Sequence, residues 1–334
     1  MKRQLLYLMS GVLCCALGIN ELIHASEHLF FPLMDYVEQE VEVSAQVEDK
    51  LTCEMILMAQ EQDEESEEPE QVEETPTLEV ASFNMEKLSN YEYLRSSFYT
   101  VDSTTMIGED QLNIEDLMML DPKINAETDG PKVLIFHTHS QEDFADSKKG
   151  DMSTYIVGMG AYLSNRLNEM GIETLHHDGV YDLIDGELDR SKAYQLAEKG
   201  IQKILSQNPT IEVVIDLHRD GVPDDKHLVT DVDGKQTANI MFFNGLSRTK
   251  TNGDIDYLYN PYIDENLSFS FQMQLASETM YPGFARKIYL KGYRYNLHLM
   301  PKSLLIEAGA QTNTVEEMKN AMDLLANILG EVLL

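Results

Sequence analysis

The sequence predicts an α/β fold over residues 131–334, with a mainly parallel central sheet flanked by helices. Short apolar runs typical of buried strands alternate with longer stretches whose apolar residues recur at helical spacing. Three of the apolar runs end in histidine or glutamate, as expected where parallel strands present functional groups at one sheet edge. The 204 residues after position 130 are enough to bury one core.

The first predicted strand is residues 132–136, KVLIF, a mostly apolar run of strand length. Asn208-Pro209 closes the second predicted helix, Pro282-Gly283 stops the third, and Thr314 begins the last as a capping residue. After the first strand, the predicted elements in chain order are a helix at 153–170, a strand at 172–175, a helix at 190–206, strands at 211–217 and 238–243, a helix at 265–281, a strand at 303–306 and a helix at 315–333.

Three strand ends carry residues suited to chemistry. His137 and His139 follow KVLIF, with Glu142 three positions farther along. His218 follows VVIDL, and Glu307 follows SLLI. Because the carboxyl ends of parallel strands share one edge of a sheet, these residues are expected to converge there, where open α/β folds bind ligands.

The residue types at this edge are those of a hydrolytic zinc site. Neutral imidazoles and one carboxylate bind zinc and leave a position for water, whose pKa the metal lowers toward about 7. All three cysteines lie within the first 53 residues, so a metal in the domain depends on histidine and carboxylate. A further glutamate that binds no metal can move the proton of the water to a leaving amine. Asp216, two positions before His218 on the same strand face, can orient that histidine.

Several of these residues also have simpler interpretations. One of His137 and His139 can be a structural histidine, Glu142 a solvated loop carboxylate, and His218 part of an ion pair with its sequence neighbours. Glu307 is harder to explain in this way, because a carboxylate that ends an apolar strand is costly to bury without a partner or a purpose. Weaker candidates for a ligand are His176-His177, His227 and His298.

The N-terminus predicts export. Lys2 and Arg3 precede fifteen uncharged, mostly apolar residues at 5–19, a length typical of a signal peptide and slightly short for a membrane span. Residues 1–30 are therefore interpreted as an uncleaved signal anchor, with a cleaved export signal as the alternative. The basic residues before the run place the rest of the chain outside the cytoplasm, at the cell membrane or secreted.

The charge is unevenly distributed. Of the net −33, residues 131–334 carry −10, from 29 acids and 19 bases, which leaves −23 on residues 1–130. Ten acids fall within residues 61–79, and no base occurs from 51 to 86, so residues 31–87 are predicted to be a disordered acidic tether. Residues 88–130 are interpreted as a preamble to the catalytic domain. This acidity argues against a nucleic-acid partner, because binding phosphates requires a basic surface.

Three motifs together, KVLIFHTHSQEDF, VVIDLHRD and LLIEAGAQTNTVEEM, resemble stage II sporulation protein P of endospore-forming bacteria. The segment PGFAR at 282–286 and Tyr295-Asn296 also fit that pattern, and the resemblance covers about residues 110–334. It implies the fold of the N-acetylmuramoyl-L-alanine amidases. It also implies a zinc-dependent peptidoglycan hydrolase that cuts the N-acetylmuramoyl-L-alanine amide, and peptide cross-links as well. The expected setting is forespore engulfment, with stage II sporulation proteins D and M as partners.

Carried over residue by residue, the resemblance assigns the zinc to His139, Glu142 and His218 and the acid/base role to Glu307. His137 stays an alternative ligand or a support for one, since the related amidases use one histidine after the first strand. Their glutamate ligand also usually lies farther along the chain than Glu142 does. Arg219 is expected either to contact a peptide carboxylate or to brace the site.

Two other classes of function remain alternatives. A metal-dependent deacetylase acting on the glycan would release acetate instead of separating peptide from glycan. An anchored, non-enzymatic cell-wall scaffold would bind no metal and would tolerate Glu307→Ala. Metal analysis of the protein therefore separates the scaffold from the two enzymes.

Overall fold

The computed structural model describes residues 83–125 and 127–334. Within them, seven strands form a main sheet and six short strands form three hairpins. In chain order the strands are β1 (Tyr99–Val101), β2 (Val133–Phe136), β3 (Thr174–His176), β4 (Leu183–Ile184), β5 (Glu187–Leu188), β6 (Val213–Asp220), β7 (Val229–Val232), β8 (Lys235–Ala238), β9 (Ile240–Gly245), β10 (Arg248–Thr249), β11 (Gly253–Asp254), β12 (Ala285–Lys291) and β13 (Ser303–Ala310).

The described α-helices precede, separate and follow these strands. In chain order they are α1 (Met85–Leu88), α2 (Tyr91–Phe98), α3 (Ile114–Leu117), α4 (Ile156–Glu169), α5 (Ala193–Gln207), α6 (Ile263–Met280) and α7 (Val315–Leu333). Helix α7 begins with the predicted cap, because the Thr314 side chain accepts from the backbone of Glu317 and the Glu317 side chain accepts from the backbone of Thr314.

The main sheet has the order β1-β12-β9-β13-β6-β2-β3. Strands β3, β2, β6 and β13 are mutually parallel, as are β9, β12 and β1. The two groups meet at β13 and β9, which pair antiparallel. The predicted α/β fold with a mainly parallel sheet is therefore confirmed, with one antiparallel junction inside the described sheet.

The boundaries of several strands differ from the prediction. Strands β6 and β13 continue to Asp220 and Ala310, so His218 and Glu307 lie within paired strands instead of after them. Strand β12 was not predicted, because the three basic residues of ARKIYLK interrupt its apolar pattern. Pairing with β9 on one side and β1 on the other accounts for its burial.

The two faces of the sheet are covered differently. Helices α4, α6 and α7 cover one face and build the larger core with side chains such as Ile135, Ile215 and Ile306. On the other face, α5 packs through Ala197 and Ile201 on β2 and β6. Beside it an aromatic group fills the space over β9, β12 and β13, and its aromatic members are Tyr194, Phe243, Tyr289 and Tyr295.

The segment expected as a preamble is joined to this sheet. Strand β1 pairs with β12, and Leu94, Phe98 and Leu112 are buried in the larger core. Helix α1 begins at Met85, inside the range expected for the tether, where the Asn84 side chain accepts a hydrogen bond from the backbone of Glu86. The rest of the expected tether and the expected signal anchor lie outside the described residues. Among the described helices, none combines the length and apolarity of a membrane span.

Candidate metal centre

Three of the predicted site residues meet at the carboxyl-end edge of β2 and β6. His139, Glu142 and His218 are buried, and each offers one ligand atom within 4.8 Å of the other two. His139 Nδ1 lies 3.5 Å from Glu142 Oε1, and His218 Nδ1 lies 3.9 Å from Glu142 Oε2. Two imidazoles and one carboxylate in this arrangement are a donor set suited to zinc.

The loop after β2 is held in place by buried carboxylates. Asp216 accepts hydrogen bonds from the backbone N–H of Thr138, at 2.8 Å, and from its hydroxyl, at 2.6 Å. Asp182 accepts from the Ser140 hydroxyl at 2.6 Å and from the backbone N–H of Gln141 at 3.1 Å. The chain between β2 and Glu142 is therefore fixed at several consecutive residues.

Asp216 also lies behind His218, in ion-pair contact with its ring. Its Oδ1 lies 2.8 Å from His218 Nε2, which leaves Nδ1 as the nitrogen nearer Glu142. Burial acts to lower the pKa of His218, but the charges of Asp216 and Glu142 outweigh it and raise that pKa well above its ordinary value. The arrangement matches that of a carboxylate behind a metal-binding histidine.

Glu142 is stabilised in its charged form. Burial acts to raise its pKa, but hydrogen bonding with His139 and His218 outweighs the burial and lowers the pKa well below the ordinary range. Arg190, whose Nη2 lies 3.5 Å from Glu142 Oε1, contributes in the same direction. A buried, ionised carboxylate between two imidazoles is a site that a cation would stabilise further.

His137 lies at the same edge but faces away from this cluster. Its Nδ1 is 2.7 Å from the carbonyl oxygen of Leu217 and its Nε2 is 3.0 Å from His176 Nε2. Burial, with the neighbouring His176, lowers the pKa of His137 to about 3, so its imidazole is neutral. Helix α4 approaches this pair at Gly160, where an added Cβ would overlap His137 Nε2. The structure thus brings His139, and not His137, beside Glu142 and His218.

The weaker ligand candidates from the sequence have other neighbours. His176 contacts His137, and the Nε2 atom of His177 lies 2.7 Å from the Tyr181 hydroxyl. His227 pairs with Glu317, and His298 with Glu198.

Glu307 lies next to His218 across the β6–β13 pairing. Its side chain is buried, and its Oε2 accepts no hydrogen bond from any residue that the structure describes. Burial raises the pKa of Glu307 to about 8, against the opposing positive charge of His218 and with support from the carboxylates of Asp220 and Glu142. A carboxyl group in this condition can both donate and accept a proton near neutral pH.

Arg219 braces the loop that carries Glu142. Its backbone N–H donates to Glu142 Oε2 at 2.8 Å, and its Nε donates to the backbone oxygen of Asp143 at 2.7 Å. Of the two roles that the sequence left open for Arg219, these contacts correspond to the bracing role.

Tyr194 is a site residue that sequence reasoning missed. Its ring lies parallel to that of His218, with centroids 6.5 Å apart, and edge-on to that of His139, at 5.6 Å. Asn296, from the loop between β12 and β13, donates to the Tyr194 backbone oxygen at 2.8 Å. The resemblance of Tyr295-Asn296 to the family pattern was the available signal, but nothing local connected it to the metal centre.

The fold and the site together define an α/β protein with a buried His-Glu-His cluster and, next to it, a buried glutamate whose Oε2 accepts no hydrogen bond within the described residues. The sequence profile of the Stage II sporulation protein P (SpoIIP) family matches residues 11–330, and the chain belongs to this family. The stage II sporulation protein P of Bacillus subtilis (strain 168) is 24% identical over 239 residues, which are 67% of this chain. The match spans 56% of that relative's length.

Solved structures with a similar fold include several amidases. The CwlD amidase from Clostridioides difficile, in complex with the GerS lipoprotein, is 15% identical with a TM-score of 0.38, over 60% of this chain and 96% of that one. The N-acetylmuramoyl-L-alanine amidase AmiC2 of Nostoc punctiforme is 12% identical with a TM-score of 0.35, over 61% of this chain and 96% of that one.

Proposed function

We propose that this chain is a zinc-dependent peptidoglycan hydrolase that cleaves the N-acetylmuramoyl-L-alanine amide during sporulation. The observation that carries the proposal is the buried cluster of His139, Glu142 and His218 with the unpartnered Glu307 Oε2 next to it. Membership in the SpoIIP family supports the setting in sporulation.

The donor set and its charge fit a divalent cation. Glu142, Asp216 and Glu307 are all buried at the cluster, which is more carboxylate than a metal-free site would accommodate without cost. His139, Glu142 and His218 would hold zinc, which when bound acts as a Lewis acid toward the scissile carbonyl and lowers the pKa of a water.

The chain's own residues supply the rest of the chemistry. Glu307 accepts a proton from the attacking water and returns it to the amine nitrogen that leaves. Its pKa of about 8 refers to the protein without a cation, and added positive charge at the cluster lowers that value toward the range in which it also acts as a base. Asp216 keeps His218 oriented, and Arg219 keeps the backbone around Glu142 in position.

Two more specific parts of the proposal, a second activity and the protein partners, come from the family resemblance. They are cleavage of peptide cross-links as a second activity and stage II sporulation proteins D and M as partners in engulfment of the forespore. The apolar N-terminal run behind Lys2 and Arg3 supports a location outside the cytoplasm, at the membrane or secreted.

Digestion of defined muropeptides by the full chain, with and without a chelator, tests the activity. We expect free peptide and glycan from the wild type, no products with chelator, and recovery on adding zinc. Glu307→Gln is expected to lower kcat by about 10²–10⁴-fold, as loss of a general acid/base does. Arg248→Gln, which removes an arginine paired with Asp254, is the control and should retain full activity.

Other products would identify the alternatives. Release of acetate without separation of peptide from glycan would identify a deacetylase. A chain that carries no zinc and gives no products, with Glu307→Ala indistinguishable from wild type in muropeptide binding, would identify a scaffold.

A further inference from the structure

Four residues lie in one row across the sheet. Arg286 of β12 is the register partner of Met241 of β9, Met241 is the partner of Glu307 of β13, and Glu307 is the partner of His218 of β6. Register partners on neighbouring strands point to the same face. Arg286 is therefore two strands from Glu307, about 10 Å at the usual strand spacing, and faces the same side as the metal centre.

The Arg286 side chain makes an ion pair with a residue of β6. Its Nη1 lies 2.6 Å from Oδ2 of Asp220, a buried residue of β6 two positions beyond His218. Strands β9 and β13 lie between β12 and β6, so the Arg286 and Asp220 side chains meet over these two strands, the second of which carries Glu307.

One nitrogen atom of this guanidinium is hydrogen-bonded, and the other two can still donate to a ligand. Nη1 binds Asp220, while Nε and Nη2 make no hydrogen bond to any residue in the described part of the chain. The side chain is 28% exposed, so a ligand can reach it from solvent. Arg219, by contrast, donates through Nε to the Asp143 backbone and through Nη1 to the Asp220 backbone.

A guanidinium with free, parallel donors binds a carboxylate in a forked arrangement. Arg286 is paired with the carboxylate of Asp220, Glu307 lies two strands away, and the whole protein has a net charge of −33, so a diffuse attraction for anionic ligands is absent. An anionic group of the substrate would need a specific cation here. Stem peptides of peptidoglycan carry such groups as free carboxylates close to the amide that is cut.

We propose that Arg286 is a specificity-determining residue that binds a free carboxylate of the stem peptide and places the scissile amide beside Glu307. This rests on the proposed function for the identity of the substrate. Asp220 holds the guanidinium over the sheet, and the Nε and Nη2 donors receive the carboxylate. The segment PGFAR, which the metal centre leaves unused, thereby has a role.

Two muropeptides that differ in one group test the proposal. Both are disaccharide peptides, one with a free α-carboxylate at the second stem residue and the other with a carboxamide there. For wild-type full chain loaded with zinc, we expect higher kcat/KM on the carboxylate substrate. Arg286→Gln should lower kcat/KM on that substrate by about tenfold to a hundredfold, mainly through KM, as loss of a charged hydrogen bond does. On the carboxamide substrate the change should stay below about threefold. An equal loss on both substrates would overturn the proposal.

The matched control is Arg248→Gln. Arg248 is similarly exposed, at 24%, and its Nε lies 2.5 Å from Asp254, but it follows the end of β9 that points away from the metal centre. It should change neither substrate's kcat/KM.

Two further variants test the role of Arg286 in case Arg286→Gln does not fold. Arg286→Gln leaves Asp220 buried without its cation, which is destabilising. The double variant Arg286→Gln/Asp220→Asn removes both charges and should show the same selective loss. Arg286→Lys keeps the charge without the fork and should fall between wild type and Arg286→Gln on the carboxylate substrate. Thermal melts and circular dichroism establish that each variant is folded.

Measurement of muropeptide binding tests the role of Arg286 independently of the proposed hydrolytic activity. If the wild type releases no peptide, the function fails, and titration calorimetry of the same two muropeptides still decides the role of Arg286. A preference for the carboxylate form that Arg286→Gln abolishes supports the proposal. Equal affinities for the two forms in the wild type overturn it.

Discussion

Two pairs of histidines lie at the same edge of the sheet and have opposite surroundings. His139 and His218 face Glu142, and all three ligand atoms lie within 4.8 Å of one another. His137 and His176 face each other, with their Nε2 atoms 3.0 Å apart. Each pair consists of one histidine that follows β2 and one from another strand. His137 and His139, the two that follow β2, are only two positions apart. The role of a histidine at this edge is therefore set by the group that its ring meets and not by its place after a strand.

His218 and His137, one from each pair, differ in pKa accordingly. Burial acts on both, but Asp216 and Glu142 raise the pKa of His218, whereas His137 meets another imidazole and its pKa falls to about 3. Positive charge is thus favoured at His218 and disfavoured at His137. Four predictions follow from this contrast, from the largest expected effect to the smallest.

Substitution of one histidine in each pair separates their roles most strongly. His218→Ala is expected to abolish stoichiometric zinc binding, since it removes one of the three side chains that we propose as ligands, while His176→Ala is expected to retain the metal. Elemental analysis of the purified full chain after dialysis checks this. Zinc loss in His176→Ala with retention in His218→Ala would assign the metal to the other pair.

The carboxylate behind His218 is expected to tune the affinity. Asp216→Asn weakens the contact with His218 Nε2 and should lower zinc affinity about 10- to 100-fold, the usual effect of such a supporting group. Competition with a chromophoric chelator measures it. Asp254→Asn, an exposed carboxylate of the β10–β11 hairpin, is the control and should leave the affinity unchanged.

The pair that excludes charge predicts acid sensitivity. His137 is neutral in the folded chain with a pKa of about 3, while the unfolded chain takes up a proton below about pH 6.5. Its contribution to stability is therefore complete above pH 6.5 and is lost as the pH falls toward 3, by about 1.4 kcal/mol per pH unit.

Urea unfolding of the metal-free chain across this range measures that dependence. His137→Asn keeps a donor for the Leu217 carbonyl but no titrating ring, so its stability should fall less steeply. Equal slopes for the variant and the wild type would contradict a neutral His137.

The smallest effect is expected at Gly160. An added Cβ would press on His137 Nε2 and His176 Nε2, so Gly160→Ala should cost roughly 1–2 kcal/mol of unfolding free energy, from overpacking partly offset by helix propensity. Zinc affinity should not change. Gly330→Ala on α7 is the control, because its Cβ would meet only the flexible end of Met170.

Much of the fold was predictable because apolar residues recur at different spacings in strands and in helices. Strands β2, β6 and β13 and helices α4 to α7 correspond to predicted elements, since each buries a continuous apolar run or stripe. Strands β1 and β12 were not predicted, because their place in the sheet depends on pairing with each other and with β9. The antiparallel direction of β9 against β13 has the same long-range origin.

By itself, the sequence determined which residue types reach the sheet edge. His137, His218 and Glu307 each directly follow an apolar run, and His139 comes two positions after His137, so the local pattern alone could assign all four to one edge of the sheet. Only the tertiary structure decided which groups these residues meet there. The different neighbours of His137 and His139, the bracing contacts of Arg219 and the contact of Arg286 with Asp220 depend on strand register and on how loops return to the sheet. Those contacts join residues that are far apart in the chain, and the local spacing of apolar residues does not predict them.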